Sequence, residues 1–468
     1  MKNAELVLVH AENRSMPVFK KLGATHHPIG LLCLATYMRE HGHSVRIFDL
    51  DVSPADGLLR FLKETPPRLV GITVMTAELP AVKRICAFCA QLGIKTVTGG
   101  PHPSALPEDT LRYTGCDFAI VGEGEIALRE LFSALTAGHP AFDSIAGLAW
   151  RDGENIRVNG RAIPPETDKL PVPDRTLLDL PLYRGHSTLG VPDNGTLVFT
   201  SRGCPFVCTF CASRNVFGRG ARLLPMESIF REIDACAALG LTHITIGDDT
   251  FTLNKQRVIA FCRYLQERYP RMTWNCNSRV DTIDEEMLGW MKKTNCVKIA
   301  FGVESGSPRI LQSICKRITI EQVKKAFALT RKYKIHTQAF FMIGHPGETA
   351  EDIAMTEKLI YDIRPDYLFL SVFVPLPGTK DFAALEAAGK LKGVSWDDFI
   401  FFGEQAGWGN EHFTGEELVK LRRKISLRFY FTPRYIFDRI AELRSWEQLK
   451  YMAEGAVAVV KAFLLGKK

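Results

Sequence analysis

The chain lacks any uncharged apolar run approaching the roughly 18 residues that a membrane-spanning helix needs. Its first apolar stretch, Leu6-Val7-Leu8-Val9, is too short for the core of a secretion signal and has no small-residue cleavage site behind it. A cytoplasmic protein is therefore expected, with its thiols kept reduced. Charge of one sign is scarce too: 59 basic against 52 acidic residues leave +7 over 468 residues. That excess permits an anionic substrate or a membrane surface and gives no ground to expect nucleic acid. No G-x-G-x-x-G follows the first strand, which speaks against a dinucleotide. Internal repeats and low-complexity segments are absent. What is present is ordinary for folded domains, 46% apolar and 24% charged, in a length that suggests two or three of them.

Residues 1–137 alternate strand and helix. Leu6–His10, Ser44–Phe48, Leu69–Val74, Lys95–Thr98 and Asp117–Val121 read as short strands. A helix opens at Pro28 and closes at Gly42, with proline at its start and glycine past its end. The rhythm predicts an α/β domain with a parallel, Rossmann-like doubly wound sheet. Residues 138–195 are punctuated by prolines and predict a hairpin followed by a linker. Residues 196–390 return to strand–helix units of about 30 residues. Six of them predict a partial (β/α)6 barrel, with its chemistry at the C-terminal ends of the strands. Residues 391–468 predict a helical cap.

Cysteine is not scarce, with 12 in the chain. Three stand together in Thr200-Ser201-Arg202-Gly203-Cys204-Pro205-Phe206-Val207-Cys208-Thr209-Phe210-Cys211, directly after the first barrel strand. Three thiolates at spacings of four and three suit a tight loop around a small iron–sulfur cube. Zinc would want a fourth ligand, and the nearest downstream cysteine, Cys236, sits inside a predicted helix. A [4Fe–4S] cluster on Cys204, Cys208 and Cys211 keeps one iron open for another molecule. Cys33, Cys86, Cys89, Cys262 and Cys315 lie in helical segments and read as small core residues.

Cys-x-x-x-Cys-x-aromatic-Cys after a barrel strand resembles the signature of the radical S-adenosylmethionine (SAM) superfamily, over about residues 196–380. In that family the open iron chelates SAM. An electron from the cluster cleaves SAM to methionine and a 5′-deoxyadenosyl radical, which abstracts hydrogen from an unactivated carbon. The resemblance places Phe210 near the adenine. It places Asp248 and Asp249, in Gly247-Asp248-Asp249, where the family's Gly-Gly-Glu-like segment receives the SAM amino group. Ser278 and Arg279 end the third strand, and Glu304, in Gly302-Val303-Glu304-Ser305, ends the fourth. These suit the ribose, amine and carboxylate of SAM. Met342 and Gly344, in Phe341-Met342-Ile343-Gly344-His345-Pro346-Gly347-Glu348, match the adenine-contacting segment without its first glycine; Glu348 serves equally well as a helix cap.

The N-terminal residues resemble the cobalamin-binding subgroup, which includes anaerobic magnesium-protoporphyrin ester cyclases and class B methylases. The matching pieces are Pro28-Ile29-Gly30-Leu31, Gly71-Ile72-Thr73, Gly99-Gly100-Pro101-His102-Pro103 and Val121-Gly122-Glu123-Gly124-Glu125. The resemblance implies a corrin across the strand ends, with contacts at Gly30, Thr73, Gly99, Gly100, Gly122, Glu123 and Gly124. Where some relatives carry a cobalt-ligating Asp-x-His-x-x-Gly, this chain has Thr25-His26-His27-Pro28-Ile29-Gly30. His27 keeps the spacing, but the orienting carboxylate is missing.

The expected enzyme is a cobalamin-dependent radical SAM C-methyltransferase. Its substrate is expected to be a small or lipid-like molecule, and its electron donor a flavodoxin or ferredoxin. Radical cyclisation or oxidation of a porphyrin- or lipid-like substrate is the runner-up. A tRNA methylthiotransferase would need cluster cysteines in the first domain, and a non-catalytic cobalamin sensor would leave the Cys204 loop without use. The basic-aromatic segment around Arg422–Tyr435 offers a wall for the substrate entrance. An apolar helix over about residues 446–465 offers peripheral membrane contact.

Overall fold

The computed structural model describes residues 4–12, 27–137, 141–183, 185–186, 192–399 and 407–441. The expected C-terminal helix after residue 442, and Thr25 and His26, lie outside them. No helix among the described residues is long and apolar enough to cross a membrane.

The N-terminal sheet has strands β1 (Leu6–His10), β2 (Val45–Asp49), β3 (Leu69–Thr73), β4 (Lys95–Gly99) and β5 (Phe118–Ile120), all parallel, in spatial order β2-β1-β3-β4-β5. Parallel strands are buried on both faces, and β1 and β3 accordingly read as continuous apolar runs. One face packs Val7, Val9, Val70 and Ile72 against Leu58, Val82 and Cys86. The other packs Leu6, Leu8 and Val97 against Leu31, Leu128 and Phe132. The expected hairpin, β6 (Leu148–Asp152) and β7 (Asn155–Val158), is no free-standing linker piece. It pairs antiparallel onto β5 and extends the same sheet, so the N-terminal unit runs past residue 137 to Val158.

The second unit is the expected partial barrel. Strands β8 (Gly195–Val198), β9 (His243–Ile246), β10 (Thr273–Ser278), β11 (Cys296–Glu304), β12 (His336–Ile343) and β13 (Tyr367–Val372) form one parallel sheet in chain order. Alternate residues of β10 and β12 are buried: Trp274, Cys276 and Ser278, then Thr337, Ala339, Phe341 and Ile343. The apolar ones among them pack the surrounding helices in one continuous core, where burying each of Phe301, Phe327 and Phe341 contributes about 1.5–3 kcal/mol. The intervening, half-buried residues, Asn275, Asn277, Gln338, Phe340 and Met342, face the lumen.

An open barrel has two edge strands, and both are covered by side chains. On β8, Arg175 donates to the Leu197 carbonyl at 2.7 Å and to Thr196 Oγ1 at 2.8 Å. Its own charge is met by Glu232 at 2.6 Å, with both residues buried. On β13, the Tyr430 hydroxyl donates to the Leu368 carbonyl at 2.8 Å and accepts from the Leu368 N–H at 3.1 Å. Tyr430 ends a helix, Gly415–Tyr430, whose Leu418, Ile425 and Phe429 enter the barrel core. Phe429, Tyr430 and Tyr435 thus close the outer edge of the barrel.

Candidate functional site

The cysteine loop leaves β8 at the C-terminal rim of the barrel, and its start is fixed by one carboxylate. Asp248, just past β9, accepts the Thr200 N–H at 2.6 Å and the Ser201 N–H at 3.2 Å. It also accepts both hydroxyls, at 2.5 and 2.7 Å. Burial pushes its pKa up, and those same bonds pull it down. Gly203 follows with φ +84°, and a Cβ there would lie 2.6 Å from the Gly220 carbonyl, so only glycine fits before Cys204. Further along, Thr209 N–H donates to the Ile314 carbonyl at 3.1 Å and Thr209 Oγ1 to Asp381 at 2.9 Å. Asn215 donates to the Pro377 carbonyl at 2.7 Å, which gives the Val374–Thr379 loop its task of backing the cysteine loop.

Cys204, Cys208 and Cys211 are half-buried and in no disulfide, with Cys204 Sγ 4.0 Å from Thr250 Oγ1. Burial raises the Cys208 thiol pKa, with Lys316 and Arg279 pulling the other way, and burial carries Cys211 up to about 11. A bound metal would offset that cost by supplying positive charge to the thiolates.

Around this loop the structure gathers Phe210, Glu304, Arg279 and a residue the sequence did not flag, Lys316. Glu304 closes β11 at φ +74°, a left-handed conformation held by its 2.7 Å ion pair with the buried Lys316. A Cβ on Gly302 would fall 2.7 Å from both partners of that pair. Arg279 stacks 3.7 Å over the Phe206 ring of the cysteine loop, grips Asp281 through two nitrogens at 3.0 and 3.1 Å, and donates to the Lys316 carbonyl at 2.8 Å. It is committed to building the loop's floor. Asp248 is likewise committed, to backbone and hydroxyls. Asp249 is exposed and accepts from Ser213 at 2.5 Å. Ser278 bonds Thr252 at 2.6 Å and donates to the Arg279 carbonyl at 3.0 Å. Met342 faces the lumen from β12. Gly344 follows with φ +90°, its N–H donated to Glu348. Glu348 therefore folds the Gly-His-Pro-Gly turn, while the next helix is capped by Thr349 and Asp352. Burial raises Glu348 to about 7. Beside Phe210, His345 is fully buried and held neutral by burial, with its pKa down to about 4.

A cavity of about 200 Å³ opens between the two units. Thr73, Gly99, Gly100, Gly122, Glu123 and Gly124 line it at or just past the C-terminal ends of β3, β4 and β5, and Gly30 lines it from the start of the helix Ile29–Glu40. The linker contributes Leu170–Pro173, and the barrel contributes Phe199, Arg202 and Phe217. Its lining is mostly apolar with a few polar groups among them, as in sites for small molecules and cofactors. No heavy atom lies within 4 Å of where a Cβ would stand on Gly30 or Gly99. Those two glycines leave backbone bare toward open space. His27 is not among the lining residues. Its ring is buried, bonded to Thr196 Oγ1 at 2.8 Å and set edge-on to Tyr183, so it joins the two units instead of facing the cavity.

A (β/α)6 barrel with three cysteine thiols at its rim thus stands across a cavity from a Rossmann-like sheet. Residues 198–360 match the radical SAM superfamily and residues 16–132 match the B12 binding domain. An uncharacterized methyltransferase of Pyrococcus horikoshii is 33% identical over 450 residues, covering 94% of this chain and 96% of that protein. The anaerobic magnesium-protoporphyrin IX monomethyl ester cyclase of Rubrivivax gelatinosus is 28% identical over 366 residues, covering 75% and 64%. Among solved structures, the cobalamin-dependent SAM radical enzyme OxsB with aqua-cobalamin bound superposes with a TM-score of 0.75 at 18% identity, over 99% of this chain and 72% of that one. The radical SAM methyltransferase TsrM of Kitasatospora setae gives 0.71 at 20% identity, over 84% and 76%. The chain belongs to the cobalamin-binding group of the radical SAM superfamily, and its cofactors are a [4Fe–4S] cluster, SAM and cobalamin.

Proposed function

We propose that this enzyme transfers a methyl group from SAM to an unactivated carbon of a small-molecule or lipid-like substrate. The observation that carries it is the cavity itself: it joins the glycine-rich strand ends to the root of the cysteine loop, so the corrin site opens toward the SAM site. The bound cofactors supply a transferable methyl group and a hydrogen-abstracting radical. The chain supplies position and dryness. Cys204, Cys208 and Cys211 hold the cluster, and Asp248 and Gly203 set where Cys204 stands. Glu304 with Lys316, and Phe210 with the Gly344 turn, would bind SAM beside that cluster. Gly30, Thr73, Gly99, Gly100, Gly122 and Gly124 cradle the cobalamin. His27, bonded to Thr196 and packed on Tyr183, would not be the residue that holds the cobalt. A flavodoxin- or ferredoxin-like donor in the cytoplasm provides the electron.

The reading is tested with methyl-deuterated SAM, reductant and a panel of acceptors. Methyl transfer predicts S-adenosylhomocysteine and 5′-deoxyadenosine in equal amounts, with a labelled methyl on the product. Deoxyadenosine alone, with an oxidised or cyclised product, replaces methylation by the cyclase chemistry of the relative from Rubrivivax gelatinosus. The sequence similarity to that cyclase makes this the second reading.

A further inference from the structure

Four charged side chains meet where the cavity wall joins the cysteine loop. Arg202 Nη1 lies 2.6 Å from Glu123 Oε2, and its Nη2 lies 2.7 Å from Glu125 Oε1. Arg222 pairs with the other oxygen of Glu123. Glu123 and Glu125 are buried at 4% exposure each, and all but Arg222 line the cavity. The two arginines are register partners in the short antiparallel ribbon Ser201–Arg202 with Arg222–Leu223, so one ribbon presents both cations to Glu123, and Arg202 reaches Glu125 as well. The two carboxylates come from the N-terminal unit, between and just after Gly122 and Gly124. The cations come from the barrel.

We propose that Arg202 is a positioning residue that ties the cysteine loop to the cobalamin cavity, so that filling the cavity and ordering the cluster site are one linked event. The inference rests on the reading of the cavity as the cobalamin site. Arg202 stands two residues before Cys204. Behind it Ser201 is clamped by Asp248, and ahead of it Gly203 holds φ +84° with the Gly220 carbonyl 2.6 Å from where a Cβ would stand. A shift of the guanidinium is therefore passed to Cys204. On the other side, Gly122 is held by its N–H bond to Ser104 Oγ at 2.9 Å and has φ +104°. A ligand seated on Gly122-Glu123-Gly124 fixes the carboxylates that Arg202 grips. An apolar contact would join two domains at least as firmly. A planar guanidinium held by two carboxylates adds direction, because its fork accepts each of them in one orientation only.

Linkage makes this measurable, since coupling between two sites is reciprocal. Hydroxocobalamin affinity is measured anaerobically on the full chain with its cluster reconstituted and on the same chain free of iron. The wild type is expected to bind cobalamin about 10-fold more tightly when the cluster is present, within the roughly 5–150-fold range of such couplings. Reciprocally, cobalamin should slow the loss of iron to a chelator about 10-fold. Arg202→Met should bring both ratios to about one. Arg202→Lys should keep part of the coupling, because an ammonium retains the charge but not the fork. Glu125→Gln removes the charge of one of the two carboxylates that Arg202 grips, from the other domain, and should lower both ratios while Glu123 stays paired with Arg202 and Arg222; it reports the loss should Arg202→Met fold poorly. Wild-type ratios retained in Arg202→Met or Glu125→Gln overturn the proposal. So does a wild type that binds cobalamin equally well with and without its cluster, which leaves the cavity reading intact. A wild type that binds no cobalamin overturns both.

Discussion

A single carboxylate, Asp248, decides where the cluster loop begins. Replacing it by alanine leaves the buried Thr200 and Ser201 amides and hydroxyls without acceptors, at a cost of about 3 kcal/mol or more. Asp248→Ala is expected to lower the denaturation midpoint and to lose iron on desalting. A variant as stable as the wild type with a full cluster contradicts the role. His10, at the end of β1, sets a pH dependence. Burial pulls its pKa down, but the 2.9 Å bond and the charge of Asp49, with Glu78 and Asp51, outweigh this and raise it to about 9. The unfolded residue titrates near 6.5. The folded state holds the proton more tightly, so this stabilisation is complete below about pH 6.5 and is lost as the pH rises through 9. His10→Gln should flatten the stability profile across that window, and an unchanged slope would count against the cluster of charges. The cysteines were legible in the sequence because their ligand spacing is local. Lys316, Arg202 and Arg222 were not, because their partners lie 12, 79 and 99 residues away and no local pattern marks them. Asp248 and Arg279 were placed at the right rim for a different task, since position along a strand does not say which groups are already spoken for.

At the scale of elements, glycine-ended strands make the cavity. Gly99→Leu puts a side chain into open space and not into protein, so it should fold and keep its cluster while losing cobalamin. Retained stoichiometric cobalamin in that variant would move the corrin elsewhere. The two covered edges make a second prediction. Tyr430→Phe leaves the Leu368 backbone N–H and carbonyl unmet on β13 and should cost about 1–3 kcal/mol in thermal denaturation. No change would mean that water serves the edge equally well. The strand rhythm was legible throughout, because apolar runs and helix caps are local signals. The attachment of the 148–158 hairpin to β5 was not, because strand pairing is set by the partner's edge and leaves no trace in the hairpin's own sequence. The tyrosines of the C-terminal helix looked like an entrance wall and proved to be an edge cover for the same reason.

For the whole molecule, the two units meet through buried polar contacts, Arg202 with Glu123 and Glu125 and His27 with Thr196, beside apolar ones such as Leu106 in the cluster of Val374, Phe382 and Trp408, while Tyr183 of the linker donates to Asp49 at 2.9 Å. Such contacts fix orientation, and the chemistry needs orientation because corrin and SAM must face one substrate. The measurement that tests the account most directly is absorbance and mass spectrometry of the anaerobically reconstituted chain, desalted after incubation with hydroxocobalamin. The account predicts about one cobalamin per chain, beside an iron–sulfur absorption that disappears in the Cys204→Ala, Cys208→Ala, Cys211→Ala triple variant. A cluster with no retained cobalamin would contradict it, and would leave the N-terminal sheet as a domain for some other ligand.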